Sequence, residues 1–344
     1  MPLKKVQYPI SDELLHKKRL GKNTLRDIII RGVDCTTGYA GEFYHYTSPE
    51  GLMGILKTRT LFFTDCQFLN DRNERININN ELSRFWINNA KYYDKQFVSL
   101  IKDIRVTMYE DYEYAHMESD RVYSKGIFCS RYFVLSASFD PDCLNLWKYY
   151  AKNSTYDGYC LGLATYALDD EWIDRETGVA IESGEVLYYS EDKQDAISKA
   201  VNKLYENWCI YKVSEEFNKK IQDDFTSWAS IASLFFKEAC FAGEQEYRFV
   251  AIAPKDSLND LFYEHNGEKY KMYDFRLVNG CPTPFIKMPF KSWNVDDCWA
   301  INSIGICPCL NADIKEMGLK TYLNSLDYRM ANCKIRRSNI PLRY

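Results

Sequence analysis

The chain has no apolar run near the roughly 18 to 20 residues that a membrane span needs, so no spanning segment is expected. It has no glycine-rich phosphate loop after a strand, which removes the Rossmann and P-loop nucleotide sites. It shows no repeat and no low-complexity tract, so a solenoid is excluded. Twelve cysteines are present but scattered, with no paired C-x-x-C. Cys298, Cys307 and Cys309 come nearest to a cluster, yet no histidine stands beside them, so no metal site is expected. Met1 to Gly21 is polar and basic rather than signal-like. Free thiols at Cys129, Cys160 and Cys240 suit apolar packing in a reducing cytoplasm. A net charge of −4 gives no excess of positive charge for a broadly basic nucleic-acid binder. The basic runs at Lys17 to Arg19 and at Lys334, Arg336, Arg337 and Arg343 read as solvated faces.

What the chain does have is aromatic residues, 15% of 344 positions, 27 of them tyrosine. That weight favours strands and stacking surfaces. The most informative stretch runs from Phe43 to Phe63. Alternation sets Phe43, His45 and Thr47 on one face of a strand and Tyr44 and Tyr46 on the other. Thr47 and Glu50 have capping-box spacing, and Pro49 suits the first helical turn. Leu52, Ile55 and Leu56 form one apolar stripe, after which Thr60 to Phe63 reads as a second strand. A histidine on a strand, fixed by the helix after it, can present its imidazole to a cleft. The plainer reading is a core histidine bonded to a backbone carbonyl.

Three further segments carry polar chemistry. Glu244-Gln-Glu246 opens a strand, with Arg248 on the same face, placed to pair with Glu246 or to hold an anion. A surface ion pair is the plainer reading there too. Leu69-Asn70-Asp71-Arg72 is a polar turn after the second strand, where ligand-binding groups are often mounted. Ser136-Ala-Ser138 puts two hydroxyls on one strand face, and a helix bearing Trp147, Tyr149 and Tyr150 follows.

Residues 1–40 read as an N-terminal arm with a short helix at Ser11 to Leu20 and an apolar patch at Ile28 to Ile30. Residues 41–344 read as one α+β domain, with helical insertions at about 74–118 and 192–240. Further strands are expected at 127–139, 158–163, 246–252, 285–288 and 300–306, and a helix at 312–326.

The first motif, Tyr44-His45-Tyr46-Thr47-Ser48 with its helix and aromatic strand, resembles the opening motif of ADP-ribosyltransferases. It is most similar to the DNA-modifying members of bacterial toxin–antitoxin pairs. Ser136-Ala-Ser138 is similar to the serine-bearing second motif, and Glu244-Gln-Glu246 to the Glu-x-Glu third motif, whose second carboxylate is catalytic. The chain from Phe43 to Arg343 also resembles an uncharacterised bacterial family. The shared features are His-Tyr-Thr-Ser, Leu-Asn-Asp, a Trp-x-x-Tyr helix, Glu-x-Glu-Tyr-Arg and a C-terminal Ser-x-Ile-Pro.

The resemblance implies a split, twisted sheet and an enzyme that cleaves the nicotinamide–ribose bond of NAD and transfers ADP-ribose to a nucleic-acid or protein acceptor. A toxin or anti-phage role follows, with an antitoxin or defence partner. Cleavage passes through an oxocarbenium-like state, which a carboxylate stabilises as charge develops. Glu246 would take that role, with Glu244 orienting the acceptor and His45 fixing the dinucleotide. Tyr46, Thr47, Asn70, Ser136 and Ser138 would complete the NAD site, Arg248 or Arg72 would meet the pyrophosphate, and Phe62, Phe63 or Tyr149 would stack on nicotinamide. Phe62 is the expected cleft-facing member of its pair. Two other readings stay open: a catalytically silent binder of a nucleotide or partner, and a divalent-metal phosphodiesterase or nuclease using Asp71, Glu74, Glu244 and Glu246.

Overall fold

Strand β1 (Glu42–Thr47), helix α1 (Pro49–Thr58) and strand β2 (Thr60–Asp65) form the unit expected from the sequence. Its cap differs by one residue. Ser48, not Thr47, accepts the Gly51 N–H, at 3.1 Å, and Pro49 follows at the first helical position. Thr47 ends β1, and its side chain lies where a Cβ on residue 51 would stand, so only glycine fits there. Arg59 takes a left-handed conformation, φ 55°, and its N–H closes the helix on Ile55.

The computed structural model describes residues 42–69, 75–107, 130–150, 157–164, 167–168, 177–211, 214–265, 267–278, 280–290, 300–326 and 333–341. The N-terminal arm, Asn70 to Glu74, Cys129, Cys298 and Arg343 lie outside the described residues, as does the end of the first helical insertion.

The fold is mixed α+β around one mostly antiparallel, twisted sheet. Its path runs β12 (Lys334–Arg337), β11 (Ile301–Ile306), β4 (Tyr159–Ala164), β1, β3 (Ser130–Ser138), β2, β10 (Cys281–Pro289), β9 (Tyr273–Val278). Only β11 and β12 pair in parallel among the described strands. Strand β6 (Glu246–Pro254) pairs with β3 along all nine residues, and β5 (Ala180–Glu185) pairs with β6. A small hairpin, β7 (Phe262–His265) with β8 (Glu268–Lys271), stands apart.

Strand β3 is the hinge of this topology. A strand has two hydrogen-bonding edges, and β6 fills one of them. Strands β1 and β2 must therefore share the other, β1 at Tyr44–Ser138 and β2 at Thr64–Val134 and Asp65–Phe133. They run alongside each other without pairing, and the sheet splits between them.

Each face of the sheet has its own core. On one face, Leu52, Ile55 and Leu56 of α1 and Leu319 and Leu323 of α7 (Ala312–Ser325) pack on Phe43, Phe63, Leu135, Tyr247 and Phe249. The other face is covered by the two helical insertions. Helices α2 (Asn77–Asn89), α3 (Lys95–Ile101), α5 (Ser190–Tyr211) and α6 (Glu215–Ala232) pack against Tyr132, Val134, Val250 and Ile252. Burial on both faces explains why β6 reads as an almost continuous apolar run. Helix α4 (Leu144–Tyr150) sets Trp147 edge-on to Tyr46 at 4.7 Å. Among the described residues no helix is long and apolar enough to cross a membrane.

Candidate functional site

His45 sits at the split. Its Nδ1–H donates to the Ser136 carbonyl at 2.9 Å, an oxygen on the stretch of β3 between the β1 and β2 bridges. A carbonyl can only accept, so Nδ1 carries the proton and Nε2 is left as an acceptor. The ring is half-buried. Burial and, less strongly, the charge of Arg276 push its pKa down to about 4, against the smaller opposing effect of the Ser136 carbonyl. The imidazole is therefore neutral at physiological pH.

Glu246 begins β6, directly across from Ser138, which in turn faces Tyr44 of β1. These three positions share a face, so by alternation His45 belongs to the opposite face and reaches Ser136 through the gap. Glu246 is 4% exposed. Arg248 grips it with Nε on Oε1 at 2.6 Å and Nη2 on Oε2 at 3.0 Å, and Lys237 Nζ adds a bond to Oε2 at 3.0 Å. The Ser136 side chain lies on the same strand face, and the backbone N–H of Glu246 donates to the Tyr188 hydroxyl at 2.9 Å. Burial alone would raise its pKa, but Arg248, Lys237 and, more weakly, the Ser136 side chain pull it below the ordinary carboxylate value. Glu246 is a fixed anion.

Glu244 ends a short 3₁₀ helix, Ala239–Glu244, and its Oε2 lies 2.6 Å from the same Lys237 Nζ. The ammonium thus stands between the two carboxylates of Glu-x-Glu, in the place a divalent cation would take. Arg248, 2% exposed, also donates to the Leu234 carbonyl at 2.5 Å. It is tied to Glu246 and to the backbone, a structural cation rather than an arm extended toward an anionic ligand.

Several expected site residues turn out to be held in the packing. Tyr46 is buried, donates to the Asp140 carbonyl at 2.8 Å and accepts the Cys143 N–H at 2.8 Å, so its hydroxyl supports the α4 loop rather than a ligand. Thr47 is buried against Gly51. Ser138 is fully buried and donates to the Glu244 carbonyl at 2.7 Å, fixing the approach to β6. Phe63 is fully buried in the α1 core, which corrects its place among the stacking candidates. Phe62 is half-buried, near Gly54 and 5.1 Å from Phe285, so the two neighbouring rings differ in burial. Tyr149 is 59% exposed on α4. Asn70, Asp71, Arg72 and Glu74 lie outside the described residues.

Two cations were missed in the sequence. Lys237 ends the buried run Ala229 to Phe236, and a lone charge closing such a run was the available signal. Arg276 lies on β9, beside exposed Phe275 and Leu277, with nothing local to mark it.

The C-terminal Ser-x-Ile-Pro segment meets the Trp147 helix. Asp142 accepts Trp147 Nε1 at 2.7 Å, the Ser338 hydroxyl at 2.5 Å and the Asn339 N–H at 2.8 Å, while Ile340 packs beside Trp147. The tail therefore braces the helix that packs against β1 and the Glu244 turn.

In comparisons with known proteins, the pattern of a family described as a protein of unknown function (DUF2971) matches residues 146–249. That span runs from α4 to Phe249 in β6 and includes Lys237, Glu244, Glu246 and Arg248, but neither His45 nor Arg276. No curated protein and no solved structure matches the chain.

Proposed function

We propose that this chain is an NAD-dependent ADP-ribosyltransferase with a split-sheet core of that superfamily's kind. In this reading it is a bacterial toxin or anti-phage effector that moves ADP-ribose onto a nucleic-acid or protein acceptor. The observation that carries the reading is a convergence: the three short motifs lie on three adjacent strands, β1, β3 and β6, and two of their side chains meet at Ser136. Its carbonyl takes His45, and its side chain, on the strand face that carries Glu246, helps to lower that carboxylate's pKa.

The chemistry suits that arrangement. An anion that cannot protonate near neutral pH stabilises positive charge growing on the ribose without reorganising. The His45 Nε2 lone pair accepts from a ribose hydroxyl or the carboxamide NH₂ and so orients the dinucleotide. The half-buried ring of Phe62 offers a face to the cationic nicotinamide. A ribose hydroxyl that reaches Glu246 competes with Arg248 and Lys237, whose three hydrogen bonds already take most of the about four acceptor positions of a carboxylate.

That crowding favours a second reading, in which the site binds a nucleotide or partner without turnover. Incubation with NAD and no added metal separates the two. Nicotinamide release is expected for the enzyme, whereas saturable NAD binding with no release would establish the silent binder. The metal-dependent reading has least support, since Lys237 and Arg248 together already balance the charges of Glu244 and Glu246.

A further inference from the structure

The half-sheet β2-β10-β9 borders the split at which His45 sits and presents a polar and aromatic face. Pairing puts Thr64 opposite Phe285, Phe62 opposite Lys287 and Arg276 opposite Thr283, so these side chains share one face. Thr64 is also opposite Val134, two residues from Ser136, which makes this the face that carries Glu246. Arg276 is half-buried, donates to Thr64 Oγ1 at 2.6 Å, and holds its guanidinium carbon 5.4 Å from the Phe285 ring centroid. Lys287 lies 5.7 Å from the same ring and pairs with Asp274 at 2.6 Å. On β9 and β10 the groups just named are two cations, Arg276 and Lys287, and one carboxylate, Asp274. The Phe62 and Phe285 rings are 5.1 Å apart.

We propose that Arg276 is the anchor of an anion subsite on this face, with Lys287 supporting it and Phe62 and Phe285 as its apolar wall, and that its ligand is a phosphate-bearing small molecule. A guanidinium oriented by a threonine and an aromatic ring holds a permanent positive charge in one place, which suits it to phosphate oxygens. Its position beside the split lets one ligand run from Arg276 to the His45 Nε2. Naming that anion as the pyrophosphate of NAD rests on the function proposed above; the subsite itself does not. Arg276 then takes the role that the sequence assigned to Arg248 or Arg72.

The test is calorimetric titration of the full chain with inorganic pyrophosphate and with ADP. Wild type is compared with Arg276→Gln, Arg276→Lys and, as a charge control on the exposed α3 surface, Lys95→Gln. The expected result is a loss of about tenfold or more in affinity for both ligands in Arg276→Gln, a smaller loss in Arg276→Lys, and none in Lys95→Gln. Thermal melts confirm that each variant is folded, and Arg276→Lys carries the comparison if the glutamine variant melts early. Equal affinity in wild type and Arg276→Gln, or no binding by wild type, overturns the subsite. NAD turnover with an unchanged KM in Arg276→Gln would remove the subsite and keep the enzyme. Arg276-dependent pyrophosphate binding by a protein that never cleaves NAD would keep the subsite and remove the enzyme.

Discussion

Lys237 Nζ lies 3.0 Å from Glu246 Oε2, and the same ammonium lies 2.6 Å from Glu244. One buried lysine thus fastens both carboxylates of Glu-x-Glu to the segment that follows α6. The Arg248 fork holds Glu246 from within its own strand. A buried carboxylate with such partners is stabilising only while they are complete.

Lys237→Met is therefore expected to destabilise the fold by roughly 3 kcal/mol, the scale for breaking a buried pair. Most of that cost is the charge left on Glu244 and Glu246. Adding Glu244→Gln to Lys237→Met should recover part of it, so the double variant should be less damaged than the sum of the singles. Urea unfolding curves measure this. Strict additivity would show that Lys237 and Glu244 do not interact in solution.

Some of this architecture was legible because its causes are local. The β1-α1-β2 unit needs only alternation, a proline at the helix start and an apolar stripe, all of which lie within two dozen residues. Strand β6 announced itself because both of its faces are covered. Strand β5 did not: Ala-Ile-Glu-Ser-Gly-Glu has no clear period and becomes a strand through its pairing with β6. The site followed the same division. His45 and Glu246 could be chosen from strand motifs, but their meeting at Ser136 depends on β1 and β2 sharing one edge of β3. Tyr46 looked like a ligand group because its hydroxyl partners, Asp140 and Cys143, lie more than ninety positions away. Arg276 was silent for a similar reason, since β9 reaches His45 only through β10 and β2.

The depressed pKa of His45 gives stability a pH dependence of defined sign. In the unfolded chain the imidazole takes up a proton near its ordinary 6.5, but in the fold only near 4. Between those values the unfolded state binds more protons, so wild type loses stability as pH falls through 6.5 and the loss levels off below 4. The full effect is no more than about 3 kcal/mol, less to the extent that the half-buried ring is solvated. His45→Asn removes this dependence. The difference between the wild-type and variant unfolding energies should therefore shift against wild type from pH 7 to pH 4. A constant difference across that range would mean that His45 titrates normally.

Phe62 and Phe63 offer a neighbouring pair with opposite expectations. Phe63→Ala opens a hole in the α1 core and should cost roughly 3 to 5 kcal/mol. Phe62→Leu should leave the melting temperature nearly unchanged while weakening NAD binding. The Phe62 ring also constrains α1: a Cβ at Gly54 would stand 3.0 Å from it. Gly54→Ala should then gain less than the roughly 1 kcal/mol of helix propensity in wild type, and regain it in a Phe62→Leu background. Equal stability losses at 62 and 63 would place both rings in the core.

Glu246→Gln tests the proposed chemistry, and structure and catalysis must be read together. The substitution removes the charge that balances Arg248 and Lys237, so a loss of stability is expected from packing alone. The measurement that isolates chemistry is nicotinamide release at saturating NAD, well below the variant's melting temperature. A catalytic Glu246 predicts turnover lower by about a hundredfold or more with NAD affinity largely kept, because its charge acts mainly on the oxocarbenium-like state. A structural Glu246 predicts that turnover falls only with the folded fraction and recovers when stabilising conditions restore the fold. Turnover that tracks the folded fraction would move the catalytic role away from this carboxylate.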